Sequence, residues 1–177
     1  MEEKFELFWN GPFSQWWQQS SFTFERMKFN CAEQFMMFNK AMFFNDYDTA
    51  KAVMKSNSPK EQKALGRQTE NFNVDKWANV ARDIVYVGNY CKFCQDADLL
   101  KLLLATTGFT LVEASPYDKI WGIGLAEDNP LAHKRSTWQG KNWLGETITK
   151  VREDIMSDVR NEKAYDLCEE LVRKYKK

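Results

Sequence analysis

Apolar residues return along most of this chain every three or four positions, the spacing of helices. Trp77, Val80, Ala81, Ile84 and Val85 form one stripe, which predicts a helix starting near Asn73 or Asp75. Gly88-Asn89 is expected to end or bend it. Leu99, Leu100, Leu102, Leu103 and Leu104 mark another helix, from an Asp cap to a Gly108 C-cap. Ser58-Pro59-Lys60-Glu61 places an N-cap, an N1 proline and a third-position acid in order, a helix start running to about Leu65-Gly66-Arg67. A shorter helix is expected over Thr49 to Lys55, and two more over Trp143 to Arg160 and Glu162 to Tyr175. Strand spacing is confined to SFTFERMKF, read as a short strand or hairpin, and to Phe109 to Ala114. Residues 126–140 read as loop. The pattern predicts a mainly α fold: an α-rich single domain over residues 1–177 with a short N-terminal β-hairpin or strands.

The run from Asn30 to Phe44, NCAEQFMMFNKAMFF, breaks the amphipathic rule. Asn30 is placed as an N-cap and Glu33 as the third-position acid of a capping box. At about 100° per residue, Glu33, Met37, Lys40 and Phe44 share a face, with Phe35, Phe38 and Met42 opposite. A helix apolar on both sides is normally buried, yet this one carries a carboxylate and an amine two turns apart. Two plain readings compete with a functional one. Glu33 is only a capping acid, and Lys40 is a lysine whose head reaches water. Alternatively both face one pocket, where burial lowers the amine's pKa enough for it to attack a carbonyl or an opened sugar. Spacing alone leaves these open.

Composition narrows the field. Hydrophobic residues make up 44% of the 177, enough for a packed core. Lys+Arg and Asp+Glu are both 25, so net charge is zero, against a non-specific nucleic-acid coat protein. No apolar run is long enough to span a membrane. The acidic, aromatic start MEEKFELFWNG is not a signal peptide, so a cytoplasmic protein is expected. Cys91-Lys-Phe-Cys94 is a lone CxxC. With Cys31, Cys168 and one histidine, His133, zinc is not expected, and the cysteines are read as reduced. The 15% aromatic content suits either a Phe-rich core or tryptophans stacking on a flat base.

The loop LVEASPYDKIWGIGL concentrates Glu113, Ser115, Asp118 and Trp121 with glycines at 122 and 124. Its GxG lacks the third glycine and following helix of a dinucleotide site. It reads as a tight turn or as a place where backbone meets a ligand. With no Walker lysine, metal motif or GxSxG elbow, carboxylates and a lysine remain. Glu33, Glu113 and Asp118 are acid–base candidates and Lys40 a nucleophile, a set suited to cleaving a glycosidic bond.

The blocks FWNGPFSQW, CAEQFMMFNKAMFF, SPKEQKALGRQ, GNYCKFCQ, LVEASPYDKIWGIGL and GKNWLGETITKVRE occur in this order. Together, over about residues 5–153, they resemble the NADAR (NAD- and ADP-ribose-associated) family, which includes YbiA-like proteins and phage members. The resemblance implies an α-rich domain with N-glycosidase activity and no cofactor or metal. One branch of the family removes ADP-ribose from guanine in nucleic acid. Another hydrolyses phosphorylated N-ribosyl intermediates of riboflavin synthesis. A non-catalytic ADP-ribose or nucleotide binder is the third reading. The family's glutamate falls on Glu33 and its lysine, thought to form a Schiff base with ring-opened ribose, on Lys40. Its second-block acid and tryptophan fall on Asp118 and Trp121. Substrate contacts are expected from Asn10, Phe13, Ser14, Trp16, Arg67, Glu113, Ser115, Trp121, Gly122, Gly124 and Asn142. Lys60 is a further candidate for phosphate. Riboflavin-type members read SEHYFQAQK and DAYWGDG where this chain has AEQFMMFNK and YDKIWGIG, which favours an ADP-ribosylguanine substrate carried on DNA or RNA.

Overall fold

The computed structural model describes residues 3–160, with side chains to residue 157. The expected helix over 162–175, with Cys168, lies outside them. The described chain is mainly α, as the periodicity predicted. Strand β1 (Phe5–Phe8) is followed by a hairpin of β2 (Phe22–Phe24) and β3 (Met27–Phe29). Helices α1 (Ala32–Phe43), α2 (Tyr47–Lys55), α3 (Pro59–Arg67), α4 (Val74–Cys94) and α5 (Ala97–Ala105) come next. Strand β4 (Thr110–Glu113) and helix α6 (Trp143–Arg160) complete the order. Two 3-10 turns, Pro130–His133 and Arg135–Thr137, interrupt the segment expected to be plain loop. No described helix is long and apolar enough to cross a membrane.

The local rules act at most helix starts. Side chains of Asp46, Ser58 and Asn73 accept from the amides of Thr49, Glu61 and Lys76, and Asp96 accepts from Asp98 and Leu99. The hairpin turns through Glu25 and Arg26, both left-handed (φ 47° and 68°), the twist a two-residue hairpin loop requires.

Two expectations about helix ends are corrected. Helix α4 runs through Gly88-Asn89 without a break. A Cβ on Gly88 would sit 2.7 Å from the Phe35 ring of α1, so the glycine admits a neighbouring helix rather than ending its own. Asn89 meanwhile donates to Val85 O (2.9 Å) and to Gln15 Oε1 (2.8 Å). The capping box at α1 does not form. The N-cap is Cys31, without a side-chain bond, and Glu33 is the second helical residue. The reach-back belongs to Gln34, whose Oε1 accepts from the Asn30 amide at 2.8 Å. Gln34, Gln62 and Asn30 all donate to Ser56 O, at 3.2, 2.8 and 3.1 Å. This amide cluster ties the start of α1 to the α2–α3 corner and leaves the Glu33 carboxyl unused.

The core lies around α1 and α4. Helix α1 packs on α2, α3 and α4, and α6 packs on α4 and β4. Strands β1 and β4 pair in parallel, from Phe5 opposite Thr110 to Phe8 opposite Glu113. The Ala114 amide extends the pairing to Phe8 O at 2.7 Å. The sequence pattern did not mark β1. Its pairing with β4 sets residues 9–17 beside residues 114–118. Buried Arg152 fixes the other end of β4, donating to Thr106 O (2.6 Å), Thr106 Oγ1 (2.8 Å) and Phe109 O (2.8 Å).

Candidate functional site

Glu33 enters the site from the first turn of α1. Its backbone amide donates to Gln15 O at 3.0 Å, which fixes the turn of residues 11–17 against the helix start. Its side chain is 4% exposed and Oε1 has no hydrogen-bond partner. The Trp16 indole donates to the carboxyl. Desolvation pushes its pKa up to about 7, Asp118 adds to the rise, and Lys63 and Arg67 oppose it. A buried carboxyl with a free oxygen and a pKa near neutrality can give or take a proton at physiological pH.

Lys40 lies seven residues on, in the last turn of the same helix. Its Nζ donates to Gly66 O at the end of α3 (2.8 Å) and stands 4.1 Å above the Phe72 ring centroid. No described carboxylate lies within ion-pair distance of it, Glu33 included. Burial lowers its pKa, Arg67 lowers it further, and the Glu33 charge opposes. An amine held by one carbonyl and a ring, with no counter-ion, deprotonates more readily than a surface lysine. That is the condition for nucleophilic attack.

The second carboxyl comes from the end of β4. Asn142, buried and left-handed (φ 52°), accepts from the Glu113 amide and donates to Leu111 O, both at 2.9 Å. Glu113 is thus fixed in position, while its Oε2 is buried without a partner. Burial and the Asp118 charge raise its pKa to about 8, against Lys63 and Lys92. Asp118 caps its own turn, accepting from the amides of Ile120 (2.9 Å) and Trp121 (2.8 Å), and pairs with Lys63 at 3.9 Å. A Cβ on Gly122 would meet both Asp118 O and Glu113 O at 2.9 Å, so only glycine lets the loop fold this tightly. Gly124 adopts φ +71°.

The sequence-predicted residues divide by position. Glu33 interacts by charge with Asp118 and Arg67 and accepts from Trp16, Glu113 interacts with Asp118 and Glu33, and Lys40 with Glu33 and Arg67. Ser14 and Ser115 are buried and shape its turns, accepting from the amides of Trp16 (3.2 Å) and Tyr117 (3.3 Å). Phe13 packs between Phe8 and Phe93, with ring centroids 5.7 and 6.1 Å away. Trp121 is half-buried, edge-on to Trp143 at 5.7 Å. Asn10 is exposed in the turn after β1. Asn142 acts on the site through the backbone of β4.

Two lysines were not foreseen. Lys63, one turn before Arg67 on α3, faces Asp118 where Lys60 is exposed and turned to solvent. The i,i+4 spacing of Lys63 and Arg67 was the available signal. Lys92 is 1% exposed and donates to Ser14 O at 3.0 Å, and burial brings its pKa down to about 7. Its signal was a lysine inside the apolar run YCKFC.

The NADAR domain model matches residues 5–156. Protein irg-1 of Caenorhabditis elegans is 40% identical over 131 residues, covering 73% of this chain but 62% of its own length. The chain therefore spans less than two thirds of that relative. N-glycosidase R617 of Acanthamoeba polyphaga mimivirus is 42% identical over 146 residues, 80% of this chain and 86% of its own. Among solved structures, the NMR structure of Escherichia coli YbiA superposes with a TM-score of 0.71 over 89% of this chain and 88% of that one. At 24% identity this is a likeness of fold.

Proposed function

The chain belongs to the NADAR family, and from that premise we propose that it is an N-glycosidase acting on ADP-ribosylated guanine in nucleic acid, with Lys40 as nucleophile. The observation that carries this reading is the Lys40 amine, desolvated and without a counter-ion among the described residues, on the same helix as the Glu33 carboxyl with its unpartnered Oε1. The name of the mimiviral relative, an N-glycosidase matched over 86% of its length, supports the reaction class.

The chemistry balances without an added oxidant or reductant. The N-ribosyl amine opens to an imine at the sugar's C1. Neutral Lys40 Nζ adds to that carbon, the C1–Nζ bond forms, and the C1–N bond to the base breaks as the base nitrogen takes a proton. Glu33, neutral below about pH 7, supplies that proton. Asp118 accepts one from the water that then adds to the lysine imine, and the sugar leaves as its aldehyde, restoring the amine. The net change is water across one C–N bond. Lys63 and Arg67 provide positive charge for the diphosphate, and Trp16 a face for the base.

A guanine-ADP-ribosylated oligonucleotide and a phosphoribosylamino-pyrimidine, each incubated with wild type and Lys40→Ala, test this. Restored guanine that is lost with Lys40→Ala is the expected outcome. Turnover of the pyrimidine alone would make the protein a metabolite N-glycosidase and contradict the proposed substrate. ADP-ribose binding with no turnover of either would make it a binding module.

A further inference from the structure

Beside the carboxyl group of residues lies a pair of aromatics that the reaction above does not use. The parallel register brings Phe8 opposite Glu113, and the Ala114 amide continues it onto Phe8 O. The residue after the first strand, Trp9, therefore stands beside the turn that leads from Glu113 to Asp118. Its ring centroid is 6.1 Å from that of Tyr117, at 48°. Tyr117 is 86% exposed and Trp9 41%, with Ile120 at 49% on the same turn. Leaving three large apolar side chains in water forgoes their burial energy.

The loop holding Tyr117 is not slack. Ser115 Oγ accepts from its amide at 3.3 Å, and Asp118 Oδ1 ties the amides of Ile120 and Trp121 at 2.9 and 2.8 Å. A fixed backbone presenting exposed rings is preorganised for stacking. Trp16, bonded to Glu33, marks one aromatic face of the site. The Trp9–Tyr117 pair is a second. The Asp118–Lys63 pair belongs to the same turn and supplies a cation for a phosphate.

We propose that Trp9 and Tyr117 form a stacking platform for a second planar base, distinct from the ring released in the reaction and joined to it through a phosphate-bearing sugar. The inference rests on the N-glycosidase reading for the identity of the first ring. The second ring has two sources of the same chemistry: the adenine of the sugar's own diphosphate, or the base flanking the modified one in a nucleic-acid strand.

Calorimetric titration of the full chain tests the platform without requiring turnover. The probes are ADP-ribose, ribose 5-phosphate and an unmodified single-stranded oligonucleotide. Wild type, Trp9→Ala, Tyr117→Ala and Tyr117→Phe are compared, all at positions exposed enough to leave the fold intact. Tyr117→Ala is expected to weaken a base-bearing probe about tenfold, with Tyr117→Phe close to wild type and ribose 5-phosphate insensitive to either. A loss confined to ADP-ribose assigns the adenine, and one confined to the oligonucleotide assigns the flanking base. Equal affinities of wild type and Tyr117→Ala for both base-bearing probes, or no binding of either by wild type, overturns the proposal. Absent N-glycosidase turnover sinks the proposed reaction and leaves these affinities standing, so the two failures are distinguishable.

Discussion

At the scale of the residue, the burial and partners of four ionisable groups bear on which are structural and which chemical. Lys92 and Lys40 are both buried amines held by one backbone carbonyl and one ring, Ser14 O with Phe93 and Gly66 O with Phe72, but Lys92 is 1% exposed whereas Lys40 is 9% exposed. Glu33 and Glu113 each keep one buried oxygen without a partner. An unsatisfied buried polar atom costs roughly 1–3 kcal/mol, a cost a folded chain keeps where the atom acts on something else. Glu33→Gln preserves shape and removes the proton. It should lower turnover about 10²- to 10⁴-fold with a melting temperature close to wild type's near pH 5, where the folded Glu33 keeps its proton, read by single-turnover kinetics and thermal denaturation. The pH profile follows from the same groups. The Glu33 ionisation should appear in the turnover profile near pH 7, beside that of the Lys40 amine, which burial lowers. Glu33→Gln should remove the ionisation near pH 7 and leave the other. The sequence displayed Glu33 and Lys40 because a charge within an apolar helix is conspicuous. It hid Lys63, since a lysine on an ordinary amphipathic helix looks the same whether it faces water or Asp118, while Lys92 carried the same signal as Lys40, a charge in an apolar run.

At the scale of the element, local rules are decided by their neighbours. The Asn30–Glu33 spacing satisfies a capping box, but Gln34 reaches the Asn30 amide and joins the cluster around Ser56. Its own tertiary partners outweigh the local pattern, and the Glu33 carboxyl stays out of the cap. Gly88 likewise breaks no helix because its missing Cβ is needed by Phe35. Gly88→Ala tests this. In an isolated helix the substitution would stabilise by roughly 1 kcal/mol. Here the added carbon presses on a buried ring, and overpacking of about 1–3 kcal/mol should lower the melting temperature by several degrees. A rise would mean that the α1–α4 contact is looser than described. The pattern did not mark the Asp46 cap, and α2 starts at Tyr47 rather than Thr49. The Ser58 cap, the start near Asn73 and the Asp cap before α5 were legible because each needs only its own turn. Strand β1 was not, because its partner lies about a hundred residues away and FELF carries no signal of that pairing.

At the scale of the whole molecule, the mainly α architecture followed from periodicity, while the assembly of the site depends on the closure of β1 on β4. That pairing gathers the turn after β1, the loop after β4, the start of α1 and the face of α3, and it buries titratable groups together. Their shifts predict how stability responds to pH. Glu33 and Glu113 keep their protons in the fold to about pH 7 and 8, against an ordinary 4.5. The unfolded chain releases protons first, so their contribution is full below pH 4.5 and is lost as pH rises through 8. Lys92 is lowered from 10.5 to about 7. Its burial opposes folding most below pH 7, and that cost is relieved as pH rises towards 10.5. Melting temperature should therefore fall between pH 5 and 8 and recover partly above. Glu113→Gln should flatten the fall by several degrees, at about 2–4 °C per kcal/mol for a chain of this size. An unchanged slope would mean that Glu113 is ionised in the fold.

The central claim, that Lys40 is the nucleophile, is tested most directly by reductive trapping. Enzyme turning over a guanine-ADP-ribosylated oligonucleotide is treated with borohydride, and the stable sugar adduct is mapped by peptide mass spectrometry in wild type and Lys40→Ala. The predicted result is a single adduct on Lys40 in wild type and none in the variant. Turnover with no trapped adduct, or an adduct on Lys63 or Lys92 instead, would contradict it.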